Sequence, residues 1–303
     1  RVANPYRFED GDQDQTRAYF FPRTDGGDTV VSVLENVRCD ASSRVRVAMA
    51  FFTNRRVEVA QRLADLRREG CSVSVVVGDA SIPVGTRILS TLRDAGIRVT
   101  RYPRRSGPWG LHSKYLLIDA PYADSGSRHR TLVFTGSHNY TGGALTDNDE
   151  NMLRVEDPAV FNAFIADWVR VRDAAQLADL AQSFPDAEAL PAPLSGLRLP
   201  PDTAVLDSAA WSSGAIEIQD AGSQWIVALC AAQPGQLVVD LCAGGGGKTL
   251  ALAAAMHPAG GDAPSGRLIA CDIDRRRLSH LPERAARADA RWIETRLLDP
   301  QKE

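Results

Sequence analysis

Residues 45–52 read V-R-V-A-M-A-F-F and residues 72–77 read S-V-S-V-V-V. Both runs are short, rich in valine and bounded by turn formers, as strands buried in a sheet are. Between them, 58–69 carries Val59, Ala60, Leu63, Ala64 and Leu66 at helical spacing, and Gly70 follows as a stop. A second helical stretch at 86–95 ends at Gly96 and leads into a strand at 97–100. Strand, helix, strand, helix, strand predicts an α/β layered fold. Two more strands are expected at 111–118 and 131–135, joined by a polar loop through Asp124, Ser125, Gly126 and Ser127. Residues 158–182 then read as a long helix with Phe161, Phe164, Ile165, Trp168 and Val169 on one stripe.

Prolines 185, 191, 193, 200 and 201 break regular structure and suit a linker between domains. The expected organisation is a first domain at 1–183, a Pro-rich linker at 184–204 and a second domain at 205–303. In the second, a helix at 220–232, a strand at 237–241, a glycine turn at 244–247, a helix at 249–256 and a strand at 268–271 open a doubly wound sheet. The chain stops at Glu303 before such a sheet closes, and it begins at Arg1 rather than Met. Both ends therefore read as cuts, so that a joined or fragmentary reading frame is one expectation.

The 303 residues are 44% hydrophobic and 24% charged, enough to bury a core, and a net charge of -3 disfavours a generally basic nucleic-acid binder. Locally, Arg98, Arg101, Arg104 and Arg105 form either a solvated loop or a phosphate-steering patch. No apolar run approaches the roughly 20 residues that span a bilayer. Five cysteines are too few for a disulfide scaffold. Cys39 and Cys71 each lie beside a strand-like run, and both a disulfide and two free buried thiols fit that placement.

The segment at 110–119 reads G-L-H-S-K-Y-L-L-I-D. On a strand, side chains two apart share a face, so His112 and Lys114 project together. Asp119 has the opposite parity, which suits a supporting hydrogen bond. A second strand ends in T-G-S-H-N, where Ser137 and Asn139 share parity and His138 faces away as a structural residue. His129 is expected in a solvated loop. An imidazole, an ammonium, a hydroxyl and an amide converging from neighbouring strands would grip a tetrahedral anion.

These residues resemble the phospholipase D superfamily signature HxK(x4)D…GSxN, over roughly residues 15–170, with Asn148-Asp149-Glu150 matching a later Asn-x-Glu element. The resemblance implies His112 as nucleophile or general acid, Lys114, Ser137 and Asn139 as phosphate ligands, and Glu150 orienting an imidazole. It also implies a covalent phosphohistidine that is hydrolysed without metal. The family's chemistry takes two such motifs, and this chain carries one. Residues 19–79 look like the start of the second of two repeats, and a homodimer about a two-fold axis is the other way to complete the site.

The stretch V-V-D-L-C-A-G-G-G-G-K-T, ending at Thr249, places Asp240 at a strand end before a glycine turn and a helix. A P-loop would need glycine where Cys242 stands, and Asp240 would repel a phosphate. Asp272, in C-D-I-D at the next strand end, suits a ribose. A positively charged nucleoside, S-adenosylmethionine, fits this set better than a nucleotide.

Residues 214–299 resemble the ribosomal-RNA cytosine-5 methyltransferase family of the Sun type through I-Q-D-A-G-S-Q, D-L-C-A-G-G-G-G-K-T and A-C-D-I-D-R-R-R-L. Gly244 and Gly245 stand where the family has Ala and Pro. The resemblance implies cofactor contacts from Cys242, Ala243, Gly244, Gly245, Gly246, Gly247, Lys248, Asp272 and Asp299, with RNA as partner. The family's catalytic Pro-Cys element has no counterpart here, since Cys230, Cys242 and Cys271 stand in other contexts, so binding without methylation is expected.

The overall expectation is α/β: a phospholipase D-like α/β sandwich joined to a partial Rossmann-like methyltransferase domain. Three functions follow from it. They are a phosphodiesterase acting on a phospholipid or nucleic-acid diester, an RNA methyltransferase fragment, and an inactive fusion that only binds. The first family points to export and the second to the cytoplasm, so the compartment stays open.

Overall fold

The computed structural model describes residues 16–22, 27–79, 82–103, 110–123, 126–191, 194, 196–257 and 266–299. Arg104, Arg105, Asp124, Ser125 and Pro193 lie outside the described residues. The chain divides into two compact units, Arg1–Asp179 and Leu180–Glu303.

The first unit is built on a seven-stranded mixed sheet. Its strands are β1 (Thr16–Phe21), β2 (Arg44–Met49), β3 (Ser72–Asp79), β4 (Val99–Pro103), β5 (Lys114–Tyr122), β6 (Arg128–Gly136) and β7 (Glu150–Val155), in the spatial order β1-β7-β6-β5-β2-β3-β4. Strands β2, β3 and β4 run parallel, joined by helical crossovers. The other neighbours pair antiparallel. The helices are α1 (Thr29–Glu35), α2 (Val57–Arg68), α3 (Thr86–Asp94), α4 (Gly142–Thr146) and α5 (Pro158–Ser183).

Strand alternation sends the two sets of side chains to opposite faces. Val45, Val47, Met49, Val75, Leu116, Ile118 and Phe134 pack with residues of α1, α2 and α3. Ala48, Val76, Tyr115, Leu117 and Val133 pack with Phe161, Ile165, Trp168, Val171 and Ala175 of α5. Phe164 and Val169 of the expected stripe sit at its partly buried margin. The sandwich expected from the sequence is therefore present.

Several boundaries differ from the sequence reading. Strand β5 begins at Lys114, so His112 precedes it in an extended approach whose Ser113 carbonyl accepts from Ala50 N–H at 2.9 Å. Strand β6 starts at Arg128, which puts His129 on a strand rather than in the loop. Strands β1 and β7 and helix α1 add to the elements that the sequence predicts. Cys39 and Cys71 are joined by a disulfide across 32 residues of chain.

The second unit carries the short pair β8 (Glu188–Ala189) and β9 (Leu197–Arg198), then α6 (Ala209–Ser212) and α7 (Ala221–Cys230). Strands β10 (Leu237–Asp240), β11 (Arg267–Asp272) and β12 (Glu294–Leu297) form a parallel sheet in that order. Helix α8 (Gly247–Ala255) crosses from β10 to β11, while α9 (Arg275–Leu278) and α10 (Leu281–Arg287) lead to β12. The core joins Leu250 and Ala253 of α8, and Met256 at its C-terminal cap, to Leu268, Leu278 and Leu281.

Candidate active site

The antiparallel register brings the start of β5, the end of β6 and the start of β7 to one end of the sheet, with Tyr115 opposite Thr135 and Gly136 opposite Met152. Thr135 Oγ1 donates to the Lys114 carbonyl at 3.2 Å, closing the edge between β5 and β6. At that end, Lys114 Nζ donates to the His112 carbonyl at 2.8 Å and lies 3.3 Å from His112 Nε2. His112 is exposed and Lys114 half-buried. Burial lowers the Lys114 pKa from its ordinary value, while the Glu150 carboxylate acts in the opposite direction. Glu150 accepts from Asn148 Nδ2 at 3.3 Å.

Ser137 follows Gly136 out of the strand. Its N–H donates to the Asn151 carbonyl, and its Oγ accepts from Asn151 N–H, both at 3.1 Å. As an acceptor in that bond, the hydroxyl can still donate its own proton. Gly136 is required here, because a Cβ would stand 2.2 Å from the Asn151 carbonyl oxygen. Asn139 is half-buried, and its Oδ1 is buried without a hydrogen-bond partner among the described residues. The structure thus brings Lys114 against His112 and Glu150 within electrostatic reach of Lys114, while Ser137 and Asn139 lie on the loop that leaves β6 at the same end of the sheet.

Asp119 lies further along β5 and pairs with His129 at 2.6 Å, both partly exposed. It supports the β5–β6 pair and is not directed at the His112 end. His138 is buried and stacks on Phe21 with ring centroids 3.9 Å apart. Its Nε2 lies 2.9 Å from Arg56 Nη1. Burial and the Arg56 charge push its pKa down to about 4, with Asp28 opposing. His138 is therefore a neutral structural residue, as its parity predicted.

Sequence reasoning missed Asp28 and Arg56. The Arg56 side chain is wholly buried and forms a bidentate pair with Asp28, one arm at 2.7 Å. Asp28 also caps α1 by accepting from Val30 N–H and Val31 N–H. An aspartate directly before an apolar run was the available signal. Of the arginine patch, Arg98 and Arg101 are described; both are exposed and line a shallow concavity with Arg93, Leu89, Ile97 and Val99. Among the described residues, no group of three or more His, Cys, Asp and Glu side chains is placed to hold a metal ion. No helix among them is long and apolar enough to cross a membrane.

In the second unit, the glycine turn follows β10 as expected. Gly244 and Gly246 have φ of 55° and 88°, and a Cβ on Gly246 would stand 2.2 Å from Leu281 Cδ1. A Cβ on Gly247 would meet nothing within 4 Å, and the Gly247 carbonyl accepts from Gln219 Nε2 at 3.1 Å. Asp240 accepts from Thr249 Oγ1 at 2.7 Å and Cys242 N–H at 3.3 Å. Asp272 is buried and accepts from Gly244 N–H at 2.7 Å and Asp274 N–H at 2.8 Å. Those amide donors lower its pKa, so it stays ionised. Arg284 donates to the Gly245 carbonyl at 2.6 Å and to Glu217 at 2.9 Å, fixing the turn from the other side. Lys248 is half-buried at the start of α8 and Asp299 is exposed beyond β12. The glycine turn thus lies between two anchored carboxylates, whose charge suits a cation better than a phosphate. Cys230 and Cys242 are exposed, at a helix end and in the turn, while Cys271 is buried on β11.

Residues 39–170 match the family described as "Cardiolipin synthase, PLD-like domain". The chain is 27% identical over 139 residues to mitochondrial cardiolipin hydrolase of Danio rerio, covering 46% of this chain and 56% of that protein. It is 32% identical over 125 residues to ribosomal RNA small subunit methyltransferase B of Pasteurella multocida, covering 40% of this chain and 26% of that protein. Among solved structures it is similar to Nuc, a phospholipase D family member from Salmonella typhimurium, at 20% identity and TM-score 0.39, over 52% of this chain and 92% of that one. The matches thus span about a quarter and about half of the length of these two curated relatives.

Proposed function

Taking residues 39–170 as a phospholipase D-like domain, we propose that the first unit is a metal-independent phosphodiesterase half-site completed by a second copy of the chain. The observation that carries this is the convergence of His112 Nε2 and Lys114 Nζ, 3.3 Å apart, at the end of the sheet where Ser137 and Glu150 also lie.

In this reading the His112 imidazole attacks the phosphorus of a phospholipid or nucleic-acid diester. A P–N bond forms as the P–O bond to the leaving group breaks, and the partner copy's imidazole protonates the departing oxygen. Lys114, the Ser137 hydroxyl and the Asn139 side-chain amide donate to the non-bridging oxygens, where charge accumulates. Glu150 orients an imidazole. Water then attacks phosphorus, the P–N bond breaks, and the water proton passes to the base on the partner side. Cleavage of bis(p-nitrophenyl) phosphate in EDTA, abolished by His112→Ala, is the expected result. Activity that survives His112→Ala, or that needs added metal, contradicts it.

For the second unit, the anchored Asp240 and Asp272 beside the glycine turn favour S-adenosylmethionine binding by Cys242, Ala243, Gly244, Gly245, Gly246, Gly247, Lys248 and Asp272, with Asp299 towards the adenine. The bound group would supply an activated methyl. Titration calorimetry with S-adenosylmethionine tests this; absence of heat leaves the unit without a cofactor role.

A further inference from the structure

The loop from Ser137 to Thr141 carries two of the phosphate ligands assigned above, yet its middle lies beyond the sheet's ladder. Its two ends are held by ordinary means. Ser137 exchanges hydrogen bonds with Asn151, and Tyr140 N–H donates to the Phe51 carbonyl at 3.0 Å. Thr141 Oγ1 caps α4 by accepting from Ala144 N–H at 3.2 Å. The carbonyls of Asn139 and Thr141 face inward, and one group meets both. Arg56 Nη1 lies 3.4 Å from each and 2.9 Å from His138 Nε2.

We infer that Arg56 is a positioning residue for the phosphodiesterase, with Asp28 as its counter-ion, setting the Ser137–Asn139 donors through the backbone and the His138 ring. This rests on the reading of the site given above. A guanidinium only donates, so His138 Nε2 must be the acceptor and its proton sits on Nδ1. Burying a charge on this scale is costly unless it is paired and its donors are used. Arg56 meets that condition, since Asp28 takes two of its nitrogens and the loop takes the third. Its plane also lies over the Tyr140 ring, 5.5 Å from the centroid. A lysine at position 56 would keep the charge opposite Asp28 but could not fork to Asn139, Thr141 and His138 together.

The test uses the full chain with Arg56→Lys, and the paired change Asp28→Asn with Arg56→Gln in case the single variant folds poorly. The asparagine keeps an acceptor for the α1 cap. Hydrogen exchange read by mass spectrometry should show peptides covering residues 137–141 exchanging at least tenfold faster, with β2 and β3 unchanged. Turnover of bis(p-nitrophenyl) phosphate should fall tenfold or more in kcat with KM changed less than threefold. In an Asn139→Ala background the same Arg56→Lys change should cost clearly less than in wild type, because one of the two donors it positions is already gone. Unchanged exchange at 137–141 overturns the inference, as does an Arg56→Lys penalty that is undiminished without Asn139. A wild-type protein without phosphodiesterase activity would sink the reading of the site, while the exchange measurement would still decide whether Arg56 holds the loop.

Discussion

Lys114 Nζ sits 2.8 Å from the backbone carbonyl of His112 and 3.3 Å from its Nε2, so the two groups share one front. An ammonium there is useful only while protonated. Burial lowers the Lys114 pKa from 10.5 and Glu150 opposes that. Phosphodiesterase activity should therefore decline with rising pH before an ordinary lysine would titrate. Glu150→Gln should move that decline to lower pH still, and Lys114→Met should cost about 10²–10³-fold in kcat. The linked effect on stability has the opposite sign: the unfolded chain holds the proton more tightly, so folding stability rises with pH over the same window. A pH–rate profile beside a pH–denaturation series checks both.

His138 gives a second pH signature, at the acid side. Its pKa falls from 6.5 to about 4 because burial and Arg56 disfavour the imidazolium. Between those values the unfolded chain takes up a proton that the folded chain refuses, so stability drops as pH falls from 6.5 and levels off below about 4. The full gap corresponds to about 3 kcal/mol. Urea denaturation at a series of pH values should show this slope in wild type, and His138→Gln should flatten it.

The Cys39–Cys71 disulfide closes a loop that contains α2 and its flanking strand β2. Serine at both positions should lower the stability of the first unit by about 2–4 kcal/mol in non-reducing buffer. Wild type in strong reductant should fall to the same value in chemical denaturation.

Gly246→Ala tests the glycine turn of the second unit. The position has φ of 88° and an added methyl would stand 2.2 Å from Leu281 Cδ1. A loss of about 1–3 kcal/mol is expected from the backbone strain alone. Leu281→Ala should cost less in that variant than in wild type, since it relieves the clash. Thermal unfolding of the four proteins gives the cycle.

Much of this was legible because the patterns are local. The valine runs around Val47 and Val75 and the helix through Leu63 announced a layered α/β structure, and residue parity turned His138 away from Ser137. What the sequence could not reveal depends on distant pairing. Strand β7 alternates weakly, and β1 is defined by lying against it, with Phe21 opposite Glu150. Arg56 sits in the polar run N-R-R-V, where nothing local marks it for burial; only the approach of Asp28 and the 137–141 loop gives its charge and donors partners. Asp272 was read as a ribose ligand from its place at a strand end. In the structure its two oxygens also hold Gly244 and Asp274, so the acid shapes the turn. His129 looked like a loop residue because the turn before it is polar, while its pairing opposite Pro121 extends β6 past that signal.

The most direct measurement is the intact mass of the full chain, rapidly quenched at alkaline pH during turnover of a phosphodiester. The phosphohistidine account predicts an adduct of the retained phosphoryl half, mapped to His112, acid-labile, and missing in His112→Ala. Steady turnover by the wild-type chain with no covalent species on His112 at any quench time would contradict it.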